Sequence, residues 1–305
     1  MSEEDFENTP LAYAIDNMIL IHRDAHFGGS FPIMFNYYKN EGRGIFPEFD
    51  LRRIEELYEL EQEKETNLSV LVLSGPEIEK IGASRKLYKQ LRALYEQGNR
   101  PGMKKTIPIL IADLILAENE DLPGAIEAIV AEKGIAVPAL IELLRNEEFY
   151  SPFNPGYGLA PTIAAQCLGM IGDKRAIISL FEAIGNEDFF SEDVILSALR
   201  NIGEPAKNFL LNVLRGLPLN NDNERAAIAL LNFKEDQEVA ATCLKMLNEI
   251  DLDKYLVLAT YLIFVCEGLT HPSDRAAFLD LKNRSNTPKE LKREIEAIAK
   301  EWQCT

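Results

Sequence analysis

His22 and His26 lie four residues apart in the stretch HRDAHFGG, residues 22–29. Two imidazoles at this spacing face the same side of a helix and could bind one metal ion. A zinc site needs three or four ligands, however, and Asp24 faces roughly 160° away from both histidines on a helical wheel. His22 and His26 are therefore only weak candidates for a metal site, and we predict neither a bound metal nor a cofactor.

The same two histidines also continue an apolar stripe of a helix predicted over residues 11–27. The apolar members of that stripe are Leu11, Ile15, Met18 and Ile19. Histidines in a last helical turn interact favourably with the helix dipole, and Gly28 or Gly29 can take the left-handed conformation that ends a helix. On this interpretation the histidines are a packed or capping pair. The alternative is a ligand-binding role.

Aromatic residues are concentrated in FYSPFNPGYGLA, residues 149–160, where prolines and glycines exclude a regular helix. Its candidate binding residues are Phe149, Tyr150, Phe153 and Tyr157. Aromatic side chains on a preorganised loop are common anchors for a protein partner. Alternatively, the rings fold back and fill a gap between neighbouring helical hairpins.

A second aromatic stretch, FPIMFNYYKNEGRGIFPEF, covers residues 31–49. Its rings are Phe31, Phe35, Tyr37, Tyr38, Phe46 and Phe49. Terminal repeats of elongated repeat proteins need a cap over their apolar face. We expect this stretch to be such a cap, and a ligand cavity beneath it is the alternative.

An internal repeat becomes visible when residues 163–173, 194–204 and 225–235 are aligned at an offset of 31. The aligned positions are Ala164, Ile195 and Ala226; Cys167, Ala198 and Ala229; Leu168, Leu199 and Leu230; Ile171, Ile202 and Phe233. They form one apolar stripe of a helix, whose small members allow a neighbouring helix to approach closely. Gly172 and Gly203 follow two of these stripes, where a chain leaves a helix with positive φ.

Each of these helices is followed by a second helical pattern, in residues 175–186, 205–216 and 238–248. A hairpin of about 31 residues cannot bury its own apolar face, so neighbouring hairpins must stack. The sequence therefore predicts an all-α fold, an α-solenoid of stacked antiparallel helical hairpins with a helical N-terminal cap region.

The predicted organisation has two parts. Residues 1–105 form a helical N-terminal region, either degenerate repeats or a cap. Residues 106–305 form the solenoid, with an insertion at 149–160 and a C-terminal capping helix at 288–302. Insertions in repeat proteins map to loops on one face, which is often the binding face.

The hairpins resemble HEAT-like repeats, in particular the short variety found in phycobilin lyases. The resemblance covers residues 160–235 most closely and extends over 122–283, whereas the N-terminal hundred residues do not match. It implies an α-solenoid with inner and outer layers of helices. HEAT-like proteins include protein-binding scaffolds, chromophore lyases, an iron-dependent deoxyhypusine hydroxylase and DNA glycosylases, so the fold alone does not assign a function.

No catalytic residues are predicted. The hydroxylases bind iron through His-Glu dipeptides, and the three histidines here are followed by arginine, phenylalanine and proline. Cys167 stands in a repeat position that otherwise holds alanine, which predicts a buried small residue rather than a nucleophile. Glycine-rich phosphate loops have no counterpart in the sequence.

The net charge of −17 disfavours nucleic acid and anionic membranes as partners. Acidic runs at 118–122, 186–193 and 234–238 fall at predicted turns, where they are either solvated loops or a rim that attracts a basic partner. The four cysteines form no CxxC pair, and the first residues resemble no cleavable signal peptide, so we expect a cytoplasmic protein. Export without a cleavable signal is also compatible with these features.

Two functions follow as hypotheses. The first is a non-enzymatic, acidic scaffold for protein–protein interaction that binds another protein or peptide through the insertion. The alternative is an enzyme or carrier of the HEAT-like lyase type that handles a small molecule or a metal.

Overall fold

A computed structural model of the protein describes residues 14–100, 102–185 and 192–304, except for the side chain of Cys304. Within these ranges the regular secondary structure is helical, and no strand occurs. The prediction of an all-α protein is therefore confirmed. The start of the first predicted helix, including Leu11, lies outside the described residues.

The chain divides into two compact units, residues 1–167 and 168–305. This division falls inside a helix, whereas the sequence suggested a boundary after residue 105. The insertion at 149–160 thus belongs to the same unit as the N-terminal histidines, which makes contacts between them possible.

The first unit contains eight helices among its described residues and the start of a ninth. They are α1 Ala14–His26, α2 Phe31–Lys39, α3 Leu51–Lys64, α4 Leu68–Val72, α5 Gly75–Gly98, α6 Ile107–Leu116, α7 Leu122–Ala131, α8 Val137–Arg145 and α9 Ala160–Ile171. Polar N-caps start several of them, because a side-chain oxygen accepts a hydrogen bond from a backbone N–H that the helix leaves unpaired. Ser30, Asp50 and Asn67 cap α2, α3 and α4 in this way.

Helix α1 of the first unit contacts α4 and α5. Its apolar residues Ile19 and Leu20 are fully buried. Gly28 and Gly29 follow the helix with φ values of 61° and 84°, so the predicted left-handed end of the helix is confirmed. The backbone turns there and enters α2, which packs on α3.

Arg23 of α1 is fully buried and is paired on every side. Its Nη1 lies 2.7 Å from the Glu61 carboxylate and its Nε 2.8 Å from Asp24 Oδ1. Its Nη2 donates to Asn67 Oδ1 at 3.0 Å and to Ser69 Oγ at 2.9 Å. A buried guanidinium requires such partners because its desolvation is costly. Arg23 therefore joins α1, α3 and α4.

The stretch NLSVLVLSG, residues 67–75, is the only β-like run in the sequence, and its residues 68–72 form helix α4. Val70 and Leu71 of this helix are exposed, at 75% and 53%. Asn67 caps the helix and, with Ser69, also bonds to Arg23. Capping and the arginine contact thus outweigh the local β-propensity of the valines.

The second unit continues the helical pattern after α9. Its helices are α10 Ile177–Ala183, α11 Glu192–Ile202, α12 Glu204–Leu214, α13 Asn221–Leu230, α14 Gln237–Glu249, α15 Leu256–Val265, α16 Pro272–Asp280 and α17 Lys289–Cys304. Helix α10 packs on α11, α11 on α12 and α12 on α13. The four helices from α10 to α13 therefore pack on their neighbours in the chain.

The repeat positions behave as their spacing predicts. Eleven of the twelve aligned residues are buried, and Ile171 is half-buried. Gly172 and Gly203 have φ values of 69° and 77°, as predicted for glycines that follow a helix. Cys167 is fully buried, and burial raises the pKa of its thiol to about 12. The prediction that Cys167 is a buried small residue is confirmed.

Gly169 allows a close helix approach in the second unit. A Cβ built on Gly169 would lie 2.6 Å from Ala198 Cα, a backbone atom that cannot move aside easily. We expect Gly169→Ala to lower the free energy of unfolding by about 1–3 kcal/mol through overpacking. The measurement is urea unfolding followed by circular dichroism.

The matched control for this prediction is the same substitution at Gly82 of α5. A Cβ at Gly82 meets no atom within 4 Å. Gly82→Ala should therefore raise the free energy of unfolding by about 0.5–1 kcal/mol through helix propensity. Equal effects of the two substitutions would contradict the close packing at Gly169.

None of the helices in the described ranges combines the length and the apolar composition that are needed to cross a lipid bilayer.

Candidate functional site

The two N-terminal histidines lie within a group of aromatic rings, here called the aromatic cluster. Its members are His22, His26, Phe27, Tyr37, Tyr38, Phe46, Phe49, Tyr88, Phe153 and Tyr157. The His22 and His26 ring centroids are 4.6 Å apart. The cluster brings together the two aromatic stretches of the sequence, which are more than a hundred residues apart.

His22 is fully buried, and neither ring nitrogen has a hydrogen-bond partner. Phe27, Tyr38 and Phe46 surround it edge-on, at centroid distances of 4.9–5.8 Å. Burial, and then the proximity of His26, hold the pKa of His22 well below its usual value. His22 is therefore neutral at physiological pH and packs as an aromatic ring.

His26 connects three segments of the first unit. Its Nε2 lies 2.9 Å from the Pro152 carbonyl oxygen, and its Nδ1 lies 2.6 Å from the Tyr88 hydroxyl. A carbonyl oxygen can only accept, so Nε2 carries the hydrogen and Nδ1 accepts a hydrogen bond from Tyr88. Burial lowers the pKa of His26 to about 4. The neutral imidazole thus links α1, α5 and the insertion.

The four aromatic residues predicted in the insertion have different surroundings. Phe149 is buried, and the Tyr150 hydroxyl donates to the Leu144 carbonyl at 2.7 Å. Phe153 stacks on Phe46 with ring centroids 6.0 Å apart. The ring of Tyr157 lies 4.6 Å from that of His26. Phe153 and Tyr157 therefore contact residues of the N-terminal region, which neither sequence alternative predicted.

Tyr157 has a left-handed backbone, with φ of 58°, between two glycines whose φ values are also positive. This conformation is unfavourable for a side chain with a Cβ and persists only where the surrounding contacts stabilise it. Gly156 and Gly158, at 86° and 78°, allow the tight path of the chain on either side. The local sequence NPGYG therefore presents the Tyr157 ring to the histidines.

Glu118 accepts hydrogen bonds from the hydroxyl groups of two tyrosines. Tyr157 donates to its Oε1 and Tyr37 to its Oε2, each at 2.9 Å. Burial raises the pKa of Tyr37 to about 12, and burial also raises the pKa of Tyr157. Both phenols therefore keep their hydrogen and remain donors to the carboxylate.

Arg43 lies beside this carboxylate. Its Nη2 donates to the Ile115 carbonyl at 2.9 Å, and its guanidinium lies 5.8 Å from the centre of the Tyr157 ring. Its Nε and Nη1 are buried without a hydrogen-bond partner. Burial lowers the pKa of Arg43, although nearby Glu118 partly opposes that shift. The guanidinium thus lies over the face of the Tyr157 ring.

A cavity of about 590 Å³ opens next to the aromatic cluster, between α5, α6, α7 and the insertion. Small-molecule sites commonly have volumes of about 300–1,000 Å³. His26, Tyr88, Asp113, Glu118 and Tyr157 line its inner part. The insertion thus contributes one wall of the cavity through Gly156 and Tyr157.

Helix α5 forms the outer wall. Tyr88, Arg92 and Tyr95 of α5 and its C-cap residue Asn99 follow one another at spacings of four, three and four residues, and all four line the cavity. This spacing places them on one face of the helix. Arg92, Tyr95 and Asn99 are exposed, whereas Tyr88 is half-buried, so Tyr88 is the innermost of the four.

Asp113 of α6 is the most deeply buried carboxylate of the cavity wall, with a side chain that is 7% exposed. Its Oδ2 lies 2.6 Å from Lys105 Nζ. Its Oδ1 has no hydrogen-bond partner. An unpaired buried carboxylate oxygen is costly unless it has a functional role.

Sequence reasoning missed Tyr88, Asp113 and Glu118. The face of α5 with an aromatic and polar residue at each turn was a usable signal for Tyr88. Asp113 was the single charged residue in the apolar pattern IPILIADLIL, which predicts a buried carboxylate. Glu118 stood in an acidic run, ENEDL, and nothing in that run distinguished it.

Among the described residues, no group of three or more His, Cys, Asp or Glu side chains is arranged to hold a metal ion.

No protein-family model matches the chain, and no curated protein is significantly similar to it.

Proposed function

We propose that the protein is a non-enzymatic scaffold that binds another protein or a peptide, and that the cavity beside the aromatic cluster is its binding site. One observation carries the proposal. The insertion, through Gly156 and Tyr157, helps to form a cavity in which aromatic and charged side chains converge. Convergent polar groups in a concave, partly aromatic site are typical of binding sites.

This proposal changes the role of the predicted binding residues. Phe149 is buried, and Phe153 stacks on Phe46, so these rings support the wall more than they offer a surface to a partner. Tyr157 is the insertion aromatic that lines the cavity. We therefore propose Tyr157, with Tyr88 and Tyr95 of α5, as the aromatic contacts for the partner.

We further propose that the helical hairpins form a HEAT-like α-solenoid. The burial of the repeat positions supports this architecture, as does the close approach of α9 and α11 at Gly169 and Ala198. Stacked helical repeats provide extended concave surfaces that bind proteins. The 31-residue period fits this proposal, since it recurs in the helices α9, α11 and α13.

Catalysis has weaker support than binding. Both ring nitrogens of His26 already have partners, and His22 is fully buried away from the cavity. The cysteines whose side chains are described are all buried, and burial raises their pKa values. A reactive thiol needs an exposed and electropositive environment. These residues therefore lack the setting of a nucleophile with its base.

Filling the cavity tests the proposal. Ala128 of α7 lines the cavity and is half-buried, so Ala128→Phe places a ring in the cavity. Peptides selected from a random display library on the wild-type protein should bind this variant at least about tenfold more weakly, a difference of about 1.4 kcal/mol. Fluorescence anisotropy with the selected peptides measures the loss.

Ala131→Phe is the matched control, because Ala131 is an exposed residue of the same helix outside the cavity. It should leave peptide affinity unchanged. Equal binding to both variants would show that the peptides bind elsewhere. Point substitutions are preferable to deletion of the insertion, because Pro152 and Tyr157 also contact His26.

A small-molecule carrier is the second candidate, favoured by the volume of the cavity. It predicts that native mass spectrometry of the purified protein detects a bound compound, and that Ala128→Phe removes it. A peptide that competes with such a compound would identify the cavity as the common site.

A further inference from the structure

We propose that the cavity binds the cationic end of a lysine or arginine side chain from the partner. The inference rests on the proposed function, because it takes the cavity as the binding site, and it adds the chemical class of the bound group. Three independent observations support it: the direction of the hydrogen bonds, an unpaired buried carboxylate oxygen, and the distribution of charge.

The tyrosine hydroxyls of the inner cavity have no hydrogen left to donate. Tyr88 donates to His26 Nδ1, because His26 Nε2 is the donor to Pro152. Tyr157 donates to Glu118 Oε1. A phenol has a single hydrogen, so both oxygens offer only lone pairs to a bound group. The inner wall is therefore complementary to a hydrogen-bond donor.

Asp113 adds a carboxylate oxygen without a partner. Its side chain is more than nine-tenths buried, it lines the cavity, and its Oδ1 makes no hydrogen bond. Lys105 contacts the other oxygen, Oδ2. Hydrogen bonds between charged groups are about twice as strong as those between neutral ones. An ammonium or guanidinium would satisfy Oδ1, the oxygen that Lys105 leaves without a partner.

The cavity wall carries more carboxylates than cations, and the two kinds of charge differ in burial. Its carboxylates are Glu96, Asp113, Glu118 and Asp121, and its cations are Arg92 and Lys105, to which the buried guanidinium of Arg43 adds a third positive charge beside Glu118. Arg92 and Lys105 are exposed, although Lys105 Nζ reaches Asp113 Oδ2, whereas Asp113 and Glu118 are at least half-buried. Charge in the low-dielectric interior acts more strongly than at the surface. The four carboxylates thus outnumber the three cations, and this excess favours binding of a cation, in agreement with the net charge of −17 for the chain.

The remaining wall suits a long aliphatic chain that carries such a cation. Gly124, Ala125 and Ala128 of α7 leave space along one side. On the other side, the Arg92 guanidinium already lies 5.5 Å from the centre of the Tyr88 ring, so an incoming cation is left with the Tyr88 hydroxyl oxygen rather than with the ring face. Lysine and arginine combine an apolar stem with a cationic end.

An NMR titration tests the inference directly. The probe is the tripeptide acetyl-Gly-Lys-Gly-amide, and the control is the same peptide with norleucine, which has a similar shape but no charge. The lysine peptide should shift the methyl resonances of Ala125 and Ala128, and the norleucine peptide should not. Equal shifts with both peptides would overturn the inference.

Two substitutions should change affinity in opposite directions. Asp113→Asn keeps the shape but removes the charge, and should weaken binding of the lysine peptide about tenfold or more. Lys105→Gln removes the competing cation of the protein and should strengthen binding. An unchanged affinity in the Asp113→Asn variant, or a weaker one in the Lys105→Gln variant, would refute the inference. If Asp113→Asn fails to fold, Lys105→Gln and the norleucine control still decide.

Other outcomes separate this inference from the proposed function. Library peptides that need an open cavity but contain no basic residue would support the proposed function and overturn the inference. Putrescine, a free diamine, serves as the probe for a non-peptide cation. It should bind more weakly than the lysine peptide, whose backbone can contact the cavity mouth. Tighter binding of putrescine would overturn the assignment to a partner side chain.

Discussion

Replacing Arg23 by methionine is expected to lower the free energy of unfolding by about 3–5 kcal/mol. The substitution keeps the apolar stem but leaves the Glu61 and Asp24 carboxylates without their buried counter-charge. It also removes the donors to Asn67 and Ser69, which connect α1 to α4. Urea unfolding followed by circular dichroism measures the loss.

Arg200 provides the control for this prediction. Its side chain is 45% exposed, and its contact with Glu235 is long, at 3.4 Å. Exposed pairs of this kind contribute about 0–1 kcal/mol, so Arg200→Met should change stability little. Arg23→Lys should give an intermediate loss, because one ammonium cannot reach all four partners. Similar effects of Arg23→Met and Arg200→Met would contradict the central role of Arg23.

Acidification from pH 7 to pH 5 is expected to lower the free energy of unfolding, and this is the second large effect. The pKa of His26 is about 4 in the folded protein and about 6.5 in an unfolded chain, because burial disfavours the imidazolium. Between these two pKa values the unfolded chain binds more protons than the folded protein. The free energy of unfolding therefore falls as the pH decreases. His26 alone should contribute a loss of about 2 kcal/mol by pH 5, and this contribution is absent above pH 7.

His22 adds to this loss, since its pKa is also lowered by burial. His22→Phe should reduce the pH dependence between pH 7 and pH 5, because a phenylalanine ring does not titrate. At pH 7 this variant should be at least as stable as the wild type, since no hydrogen bond of His22 is lost. Urea unfolding at a series of pH values measures both effects. A pH dependence identical to that of the wild type would exclude His22 as a source of acid instability.

The parts of the fold that the sequence predicted well depend on local patterns. Ala164, Leu168 and Leu199 are buried because the spacing of apolar residues on a helix determines one face. Gly172 and Gly203 end helices because a positive φ favours glycine. These features need no knowledge of which helices are neighbours.

The site depends on contacts that local patterns do not contain. His26 contacts Tyr88 and Pro152, which are 62 and 126 residues further along the chain. In the sequence, the histidines and the insertion are separate features. The histidines alone suggested a metal site, and the insertion alone suggested a contact with a partner. Their mutual packing explains both stretches, because each provides the aromatic surface that the other buries.

The link between His26 and Pro152 also sets an order of events during synthesis. The Pro152 carbonyl is made 126 residues after His26, an interval of about 6–25 s at a translation rate of about 5–20 residues per second. Until then, the aromatic cluster lacks Phe153 and Tyr157, and the cavity lacks a wall. The N-terminal helices of the nascent chain therefore spend seconds with apolar rings uncovered, and during that interval this region is prone to aggregation.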